Sequence, residues 1–398
     1  MAKRKIGVMA DTHIGYKGNA SSHGAFGDLK TDLTNAAGMN IRTQDVNDAF
    51  SQSIDIFIKE GVDFVCHAGD GMNYWGYRHP FYSNFYMSEI KRLSEKNIFY
   101  FEIAGNHNFA KKSGVGCDLL KLDLLDHTKT VYKGFYESID LPGTNVTLHG
   151  LPSSFNKEMF NEELEKVEKI DNRFNVLVTH CGITTIEHYA KSEGSIVVHL
   201  DDLKKKKMEL TLIGDYHKFV DFGDHVYYPG ATERFSFSEV NESPRVLIFE
   251  IDDETGEIEM KEIFLNVRPM VDLPIIDAEN KTILEIQNEI VGSLKNPALE
   301  DAIVRLRIIN LPKTSKHKHL LYSEEIIELQ EKCLIFKLDF KNRVELSSAI
   351  KTDVDFDFDN IFTSFDSFVS QLPEHPDLKK EDVLKYGQKY LSEIDNES

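Results

Sequence analysis

Five short polar clusters hold the residue types that could do chemistry in this chain. They are Asp11-Thr12-His13, Gly69-Asp70-Gly71, Gly105-Asn106-His107, His180 and Gly214-Asp215-Tyr216-His217. Together they offer carboxylate, amide and imidazole groups, donors that suit hard-to-borderline divalent cations. Two such ions about 3.5–4 Å apart can clamp the attacking and leaving oxygens of a phosphoryl displacement and acidify water. Asp11, His13, Asp70, Asn106, His180, Asp215 and His217 supply enough donors for a pair of ions. A lone D-x-H or G-D is a common chance match; the information lies in the full set and its order. The chemistry expected is two-metal hydrolysis.

Residues so far apart need elements that bring them together. Each cluster closes an apolar run: IGVMA, VDFVCHA, IFYFEIA, FNVLVT and ELTLI. These runs and one more predict strands at 5–10, 62–66, 98–103, 174–179, 210–214 and 245–251. Parallel strands of an α/β sheet bring their carboxyl ends to one crevice. Gly69, Gly105 and Gly214 each precede a candidate ligand, where close backbone approach favours glycine. Helices are expected at 42–60, 80–95 and 157–169; in the first, Thr43 reads as the start signal and Phe50, Ile54 and Phe57/Ile58 as the apolar face. This alternation predicts a sheet core covered by helices. The segments 145–149, 226–228, 245–251 and 258–265 follow one another closely enough to make the sheet mixed. Residues 15–40, rich in Gly, Ser, Asn and Ala, read as a rim loop beside the site.

The character shifts near Val267-Arg268-Pro269, and three domains are expected, at 1–266, 267–342 and 343–398. The second reads strand, helix, strand, helix, strand (VDLPII, TILEIQNEIVGSL, AIVRLRII, SEEIIELQEK, CLIFKLDF) and holds a basic loop, Lys313–His319. The third begins as an acidic linker. Phe358, Ile361, Phe362, Phe365, Phe368 and Leu372 then recur at helical spacing until Pro373. A last helix, about 380–394, carries a second stripe at Leu384, Gly387, Leu391 and Ile394.

Bulk properties narrow the class. Hydrophobic residues make up 41% of 398, and no run is long enough to span a bilayer, so no membrane association is expected. The four cysteines are scattered, which predicts free thiols and a cytoplasmic location. The net charge of −20 argues against generic polyanion binding by the chain's own surface. Bound divalent cations would add local positive charge that this count omits.

The order D-x-H, G-D, G-N-H, H and G-D-x-H resembles the calcineurin-like metallophosphoesterase superfamily over about residues 5–240. The segment Tyr227–Glu239 is similar to the Y-P-G-S-x-E-R-x-x-F-x-E stretch of SbcD-type DNA repair nucleases, as are the strand Ile303–Ile308 and the tail Tyr386–Leu391. The resemblance implies an α/β fold: a four-layered α/β/β/α sandwich with a small α+β capping domain and a helical tail. It implies that Asp11, His13 and His217 hold one metal, that Asp70 bridges, and that Asn106 and His180 hold the second with Asp215. His107 would be the catalytic residue, stabilising the transition state or protonating the leaving oxygen. Two Mn2+ ions are the expected cofactors, with Mg2+ as the alternative. The implied function is a Mn-dependent DNA exo- or endonuclease subunit of an SMC-like ATPase–nuclease complex, in repair, recombination or phage DNA processing. A coiled-coil ATPase would be bound by the C-terminal helices and a second copy would form a homodimer. Alternatives are a small-substrate phosphatase or cyclic-nucleotide phosphodiesterase, and a weakly active scaffold for the ATPase.

Lys204, Lys205, Lys316 and Lys318 are the candidate DNA contacts. Three positions depart from the family pattern: Asp215 stands where a His is usual, Asn108 where an acid is, and Asn73 where a His or Asp is. Asp215 should tilt its site toward Mn2+ or Mg2+. Asn108 should leave His107 a weaker acid–base group. His67, His79, His149 and His225 are read as structural or solvated, and Phe235 and Phe237 as core.

Overall fold

The computed structural model describes residues 3–16, 34–73, 80–108, 117–154, 156–186, 196–252, 255–311, 323–341, 365–366, 369–370 and 380–395. The chain forms two compact units: Met1–Ile276, Asn280–Ile308 and Thr314–Asp339 make the larger, and Asp277–Glu279, Ile309–Lys313 and Phe340–Ser398 the smaller.

The larger unit is built on two six-stranded mixed sheets. The first runs β14 (Ile258–Phe264), β13 (Arg245–Asp252), β1 (Lys3–Met9), β2 (Phe64–His67), β3 (Phe99–Ile103), β4 (Thr128–Val131). Within it β1 to β4 are parallel, and β13 and β14 antiparallel. The second runs β11 (Val220–Asp221), β12 (Val226–Tyr228), β10 (Leu210–Gly214), β7 (Phe174–His180), β6 (Val146–Leu151), β5 (Glu137–Asp140). Its inner strands are parallel and its edges antiparallel. A short parallel pair, β8 (Gly182–Ile183) and β9 (Val197–Val198), lies beyond β7.

Strand alternation gives each sheet two apolar faces. The inner faces meet: Ile6, Val8, Phe64 and Phe101 of one pack with Leu148, Val176, Val178 and Leu212 of the other. The outer face of the first, with Val65 and Tyr100, is covered by Phe50 and Phe57 of α1 (Ile41–Glu60) and Tyr86 and Ile90 of α2 (Pro80–Ser94). The outer face of the second, with Leu177 and Ile213, is covered by Phe160 and Leu164 of α3 (Lys157–Glu165) and Leu203 of α4 (Leu200–Lys204). The result is the expected α/β/β/α layering.

One local expectation is corrected. Asn40, not Thr43, caps α1; its side chain accepts from the backbone N–H groups of Arg42 and Thr43. Thr43 instead donates its hydroxyl to the Tyr16 carbonyl at 2.7 Å, tying the helix to the loop that follows His13. Arg42, fully buried one residue earlier, pairs with Asp45 and donates to the Arg234 carbonyl at 2.7 Å. Arg268 adds a two-pronged grip on Asp45, at 2.8 and 2.9 Å. These bonds knit α1, the 232–239 segment and the chain near residue 268 together.

A third sheet contains β15 (Met270–Asp272), β16 (Ile276–Asp277), β17 (Ile303–Ile309) and β18 (Ile335–Lys341), with β15 parallel to β17. The run VDLPII is two short strands rather than one, because Pro274 cannot donate to a ladder. Helices α5 (Ile283–Leu294, with a Thr282–Glu285 capping box) and α6 (Glu324–Gln330) follow the predicted order. In the smaller unit, α7 (Lys380–Asp395) places Gly387 where any larger side chain would run into the Phe365 ring. Phe358, Ile361, Phe362, Phe368 and Leu372 lie outside the described residues. Among those described, no helix is long and apolar enough to cross a membrane.

Candidate metal centre

The carboxyl ends of β1, β2 and β3 in one sheet and of β7 and β10 in the other carry the five clusters. Backbone bonds weave the loops together. Asp11 N–H donates to the Gly69 carbonyl, His13 N–H to the Asp70 carbonyl and Asp215 N–H to Asp11 Oδ1, at 2.9–3.0 Å. Asp11, His13, Asp70 and Asp215 all hold positive φ, at 49°, 47°, 55° and 101°. A non-glycine residue in that region costs about 1–3 kcal/mol and persists where the surroundings over-determine it. Here the strain turns these side chains to one point. The glycines permit the approach: a Cβ on Gly105 would strike Asp70, and one on Gly214 would strike the Ala68 carbonyl.

Three overlapping groups result, Asp11 with His13 and His217, His13 with Asp70 and His107, and Asp11 with Asp70 and His180; each has its ligand atoms within 4.8 Å. Asp70 and Asp11 thus stand between two sets of imidazoles. The His13 and His217 Nε2 atoms lie 3.1 Å apart. Two nitrogens bound side by side to one ion at about 2.1 Å are separated by about 3 Å. On the other side, His180 donates through Nδ1 to the Ala68 carbonyl, 2.8 Å away. That leaves its buried Nε2 3.5 Å from Asp70 Oδ2 and 3.6 Å from Asp215 Oδ1, too long for a good hydrogen bond to either. Buried imidazole and carboxylate groups facing each other across such gaps fit a divalent ion between them. Asn106 is exposed in the turn after β3.

The protonation pattern reflects the crowding. Burial pushes Asp70 up to about 7; His180 opposes this, while Asp11 and Asp215 add to it. Burial also raises Asp11. For His180 burial works downward, but Asp70, Asp215 and Asp11 outweigh it and hold the imidazole at about 10. His217 is likewise lowered by burial yet held at about 9, chiefly by Glu239. His13 is driven well below its usual value by burial and by its imidazole neighbours. Protons here do the charge-balancing that a cation would do, and a cation must displace them to bind.

His107 lies at the rim, its ring 4.7 Å from that of His13. Its backbone N–H donates to Asp70 Oδ1 at 2.8 Å, and its ring Nδ1 faces Asn73 Oδ1 at 3.0 Å. Asn73 therefore keeps a hold on His107 despite departing from the family pattern. Asn108 has a different task from the one its sequence position suggests. Fully buried, it accepts from the Asp70 and Gly105 N–H groups at 3.1 and 2.9 Å and so braces two ligand loops. Glu239, which the sequence offers only as the end of a motif, accepts from His217 Nδ1 at 3.1 Å. The signal for it is the F-x-E spacing, which gives no hint of its partner.

Phe235 and Phe237 are buried. His67 is buried against Thr12 and His149 bonds Tyr136 and Asn175, both structural; His225 lies in an exposed turn, and His79 lies outside the described residues. Lys204 pairs with Asp224 at 2.7 Å and Lys205 with Asp202 at 2.9 Å. Lys316 and Lys318 lie outside the described residues, as does most of the 15–40 loop.

Comparison with known proteins agrees with this architecture. A protein from Thermoplasma acidophilum named DNA double-strand break repair protein Mre11 is 26% identical over 291 residues, covering 68% of each chain. A protein of the same name from Sulfurisphaera tokodaii is 30% identical over 223 residues, covering 54% of this chain and 50% of that one. An SbcCD nuclease subunit from Staphylococcus epidermidis is 24% identical over 259 residues, covering 57% of this chain and 65% of that one. The calcineurin-like phosphoesterase family profile matches residues 4–219, which contain every strand end that feeds the centre. The chain belongs to the calcineurin-like phosphoesterase family, a hydrolase of phosphoester bonds that depends on metal.

Proposed function

We propose that this chain is a DNA nuclease acting with two divalent cations, Mn2+ ahead of Mg2+. The observation that carries the reading is the convergence of Asp11, Asp70, His13, His180 and His217 on one buried point. The names of the relatives direct it toward DNA. Asp11, His13 and His217 would hold one ion, His180, Asn106 and Asp215 the other, with Asp70 shared. Bound there, the ions supply Lewis-acid polarisation of the phosphoryl oxygens and an acidified water. Asp215 replaces a neutral donor with an anionic one and favours hard ions.

His107 is the catalytic acid. The amide oxygen of Asn73 keeps its Nδ1 occupied, so the opposite edge of the ring delivers a proton to the leaving 3′ or 5′ oxygen. The phosphoesterase domain spans 1–266, the domain at 267–342 shapes access for DNA, and residues 343–398 dock an SMC-like coiled-coil ATPase. In that tail, the Phe365 ring lies against Gly387 of α7. The working form is a homodimer. Lys204 and Lys205 contact the DNA backbone after exchanging their present partners, Asp224 and Asp202.

The net charge of −20 and these satisfied lysines favour a second reading, a small-substrate phosphoesterase. One experiment separates the two. Purified protein with Mn2+ is given labelled single- and double-stranded DNA, with and without a cognate ATPase, and in parallel bis-p-nitrophenyl phosphate. Metal-dependent DNA cleavage supports the nuclease. Turnover of the small ester with intact DNA under every condition points to the second reading.

A further inference from the structure

Glu239 lies outside the five clusters, yet its environment is built rather than incidental. It is 7% exposed. Its Oε1 accepts from His217 Nδ1 at 3.1 Å, its Oε2 from the Phe235 N–H at 2.6 Å, and Ser236 Oγ donates to Oε1 at 3.3 Å. The short 3-10 turn Phe237–Glu239 fixes the carboxylate over the imidazole. The ring of Phe235 packs edge-on against both His217 and His13, at 5.2 and 5.0 Å, and the Tyr16 hydroxyl holds the Phe235 carbonyl at 3.1 Å. The His217 carbonyl accepts from the Ala231 N–H at 3.0 Å, so the backbone is pinned as well as the ring.

We infer that Glu239 is a positioning residue for one of the two ions: it keeps the proton of His217 on Nδ1 and the Nε2 lone pair aimed at Asp11 and His13. The inference rests on the two-ion reading of the centre. A ligating imidazole whose other nitrogen is held by a carboxylate has a fixed tautomer and ring angle, and loss of such a partner costs about 10–100-fold in metal affinity. The effect should be confined to one ion, because the hydrogen bonds of Glu239 run to His217, Phe235 and Ser236 and not to His180, Asn106 or Asp215.

The test is a calorimetric Mn2+ titration of the full chain stripped of metal, with melting temperatures of the stripped proteins alongside. Glu239→Gln can keep the Phe235 contact and the fold; Glu239→Ala removes the carboxylate entirely. The wild type should show two binding events. Glu239→Gln should weaken one about tenfold and Glu239→Ala by up to about 100-fold, with the other event unchanged. Glu239→Gln should melt with the wild type. Variants that bind both ions like the wild type overturn the inference, as do variants that lose both ions equally and melt earlier, which marks a merely structural residue. A wild type that binds no Mn2+ overturns the two-ion reading itself, and the role of Glu239 with it.

Discussion

Asp215 and His107 carry the two most specific expectations at the scale of single residues. Asp215 faces His180 Nε2 at 3.6 Å with an anionic oxygen. Asp215→His should therefore shift metal preference from Mn2+ toward Zn2+, measured as a change of about tenfold or more in the ratio of the two affinities. An unchanged ratio places Asp215 outside the coordination sphere. On the proposed role of His107 as an acid and not a ligand, His107→Ala should lower kcat by about 10²–10⁴ and leave Mn2+ binding intact. The candidate ligand types were legible in sequence because each of the five clusters closes a strand, three of them with a glycine just before the candidate ligand. The roles of Asn108, Asn73 and Glu239 were not. Asn108 read as the loss of an acid that would support His107; in the fold it braces two loops. A side chain's type can be read from the sequence, but which of its neighbours it bonds depends on where distant loops come to rest.

At the scale of elements, continuous apolar runs and helical spacing located the strands and helices closely, since a run buried on both faces marks a core strand and a one-sided stripe marks a covering helix. The start of α1 was misread because Asn40 and Thr43 are both good caps, and the competing demand that takes Thr43, the Tyr16 carbonyl, lies 27 positions away. The same helix offers a stability test. Removing the buried Arg42 guanidinium leaves Asp45 and Glu233 facing each other in the interior. Arg42→Ala should cost about 3–5 kcal/mol in urea unfolding. A loss below about 1 kcal/mol would mean that Arg268 alone satisfies Asp45. Gly214→Ala tests the close packing of β10: its methyl group would collide with the Ala68 carbonyl, and a loss of about 1–3 kcal/mol together with weakened metal binding is expected.

For the whole molecule, two sheets face each other so that strands from both deliver their ends to one crevice, and the price of gathering three carboxylates there is visible in the protons they share with imidazoles. That sets the sign of the pH dependence. Asp70 at about 7 and His217 at about 9 hold protons below those values, and an entering ion must displace them. Mn2+ affinity should therefore rise as pH is raised from about 6 to 9, with proton release detectable by calorimetry in buffers of different ionisation enthalpy. A flat affinity across that range would mean that these groups do not meet the ion. The central claim, that five strand ends assemble one paired-metal centre around Asp70, is tested most directly by electron paramagnetic resonance of the Mn2+-loaded chain. The account predicts an exchange-coupled Mn2+ pair that is lost in Asp70→Asn; a spectrum of isolated, uncoupled Mn2+ in the wild type at saturating metal would contradict it.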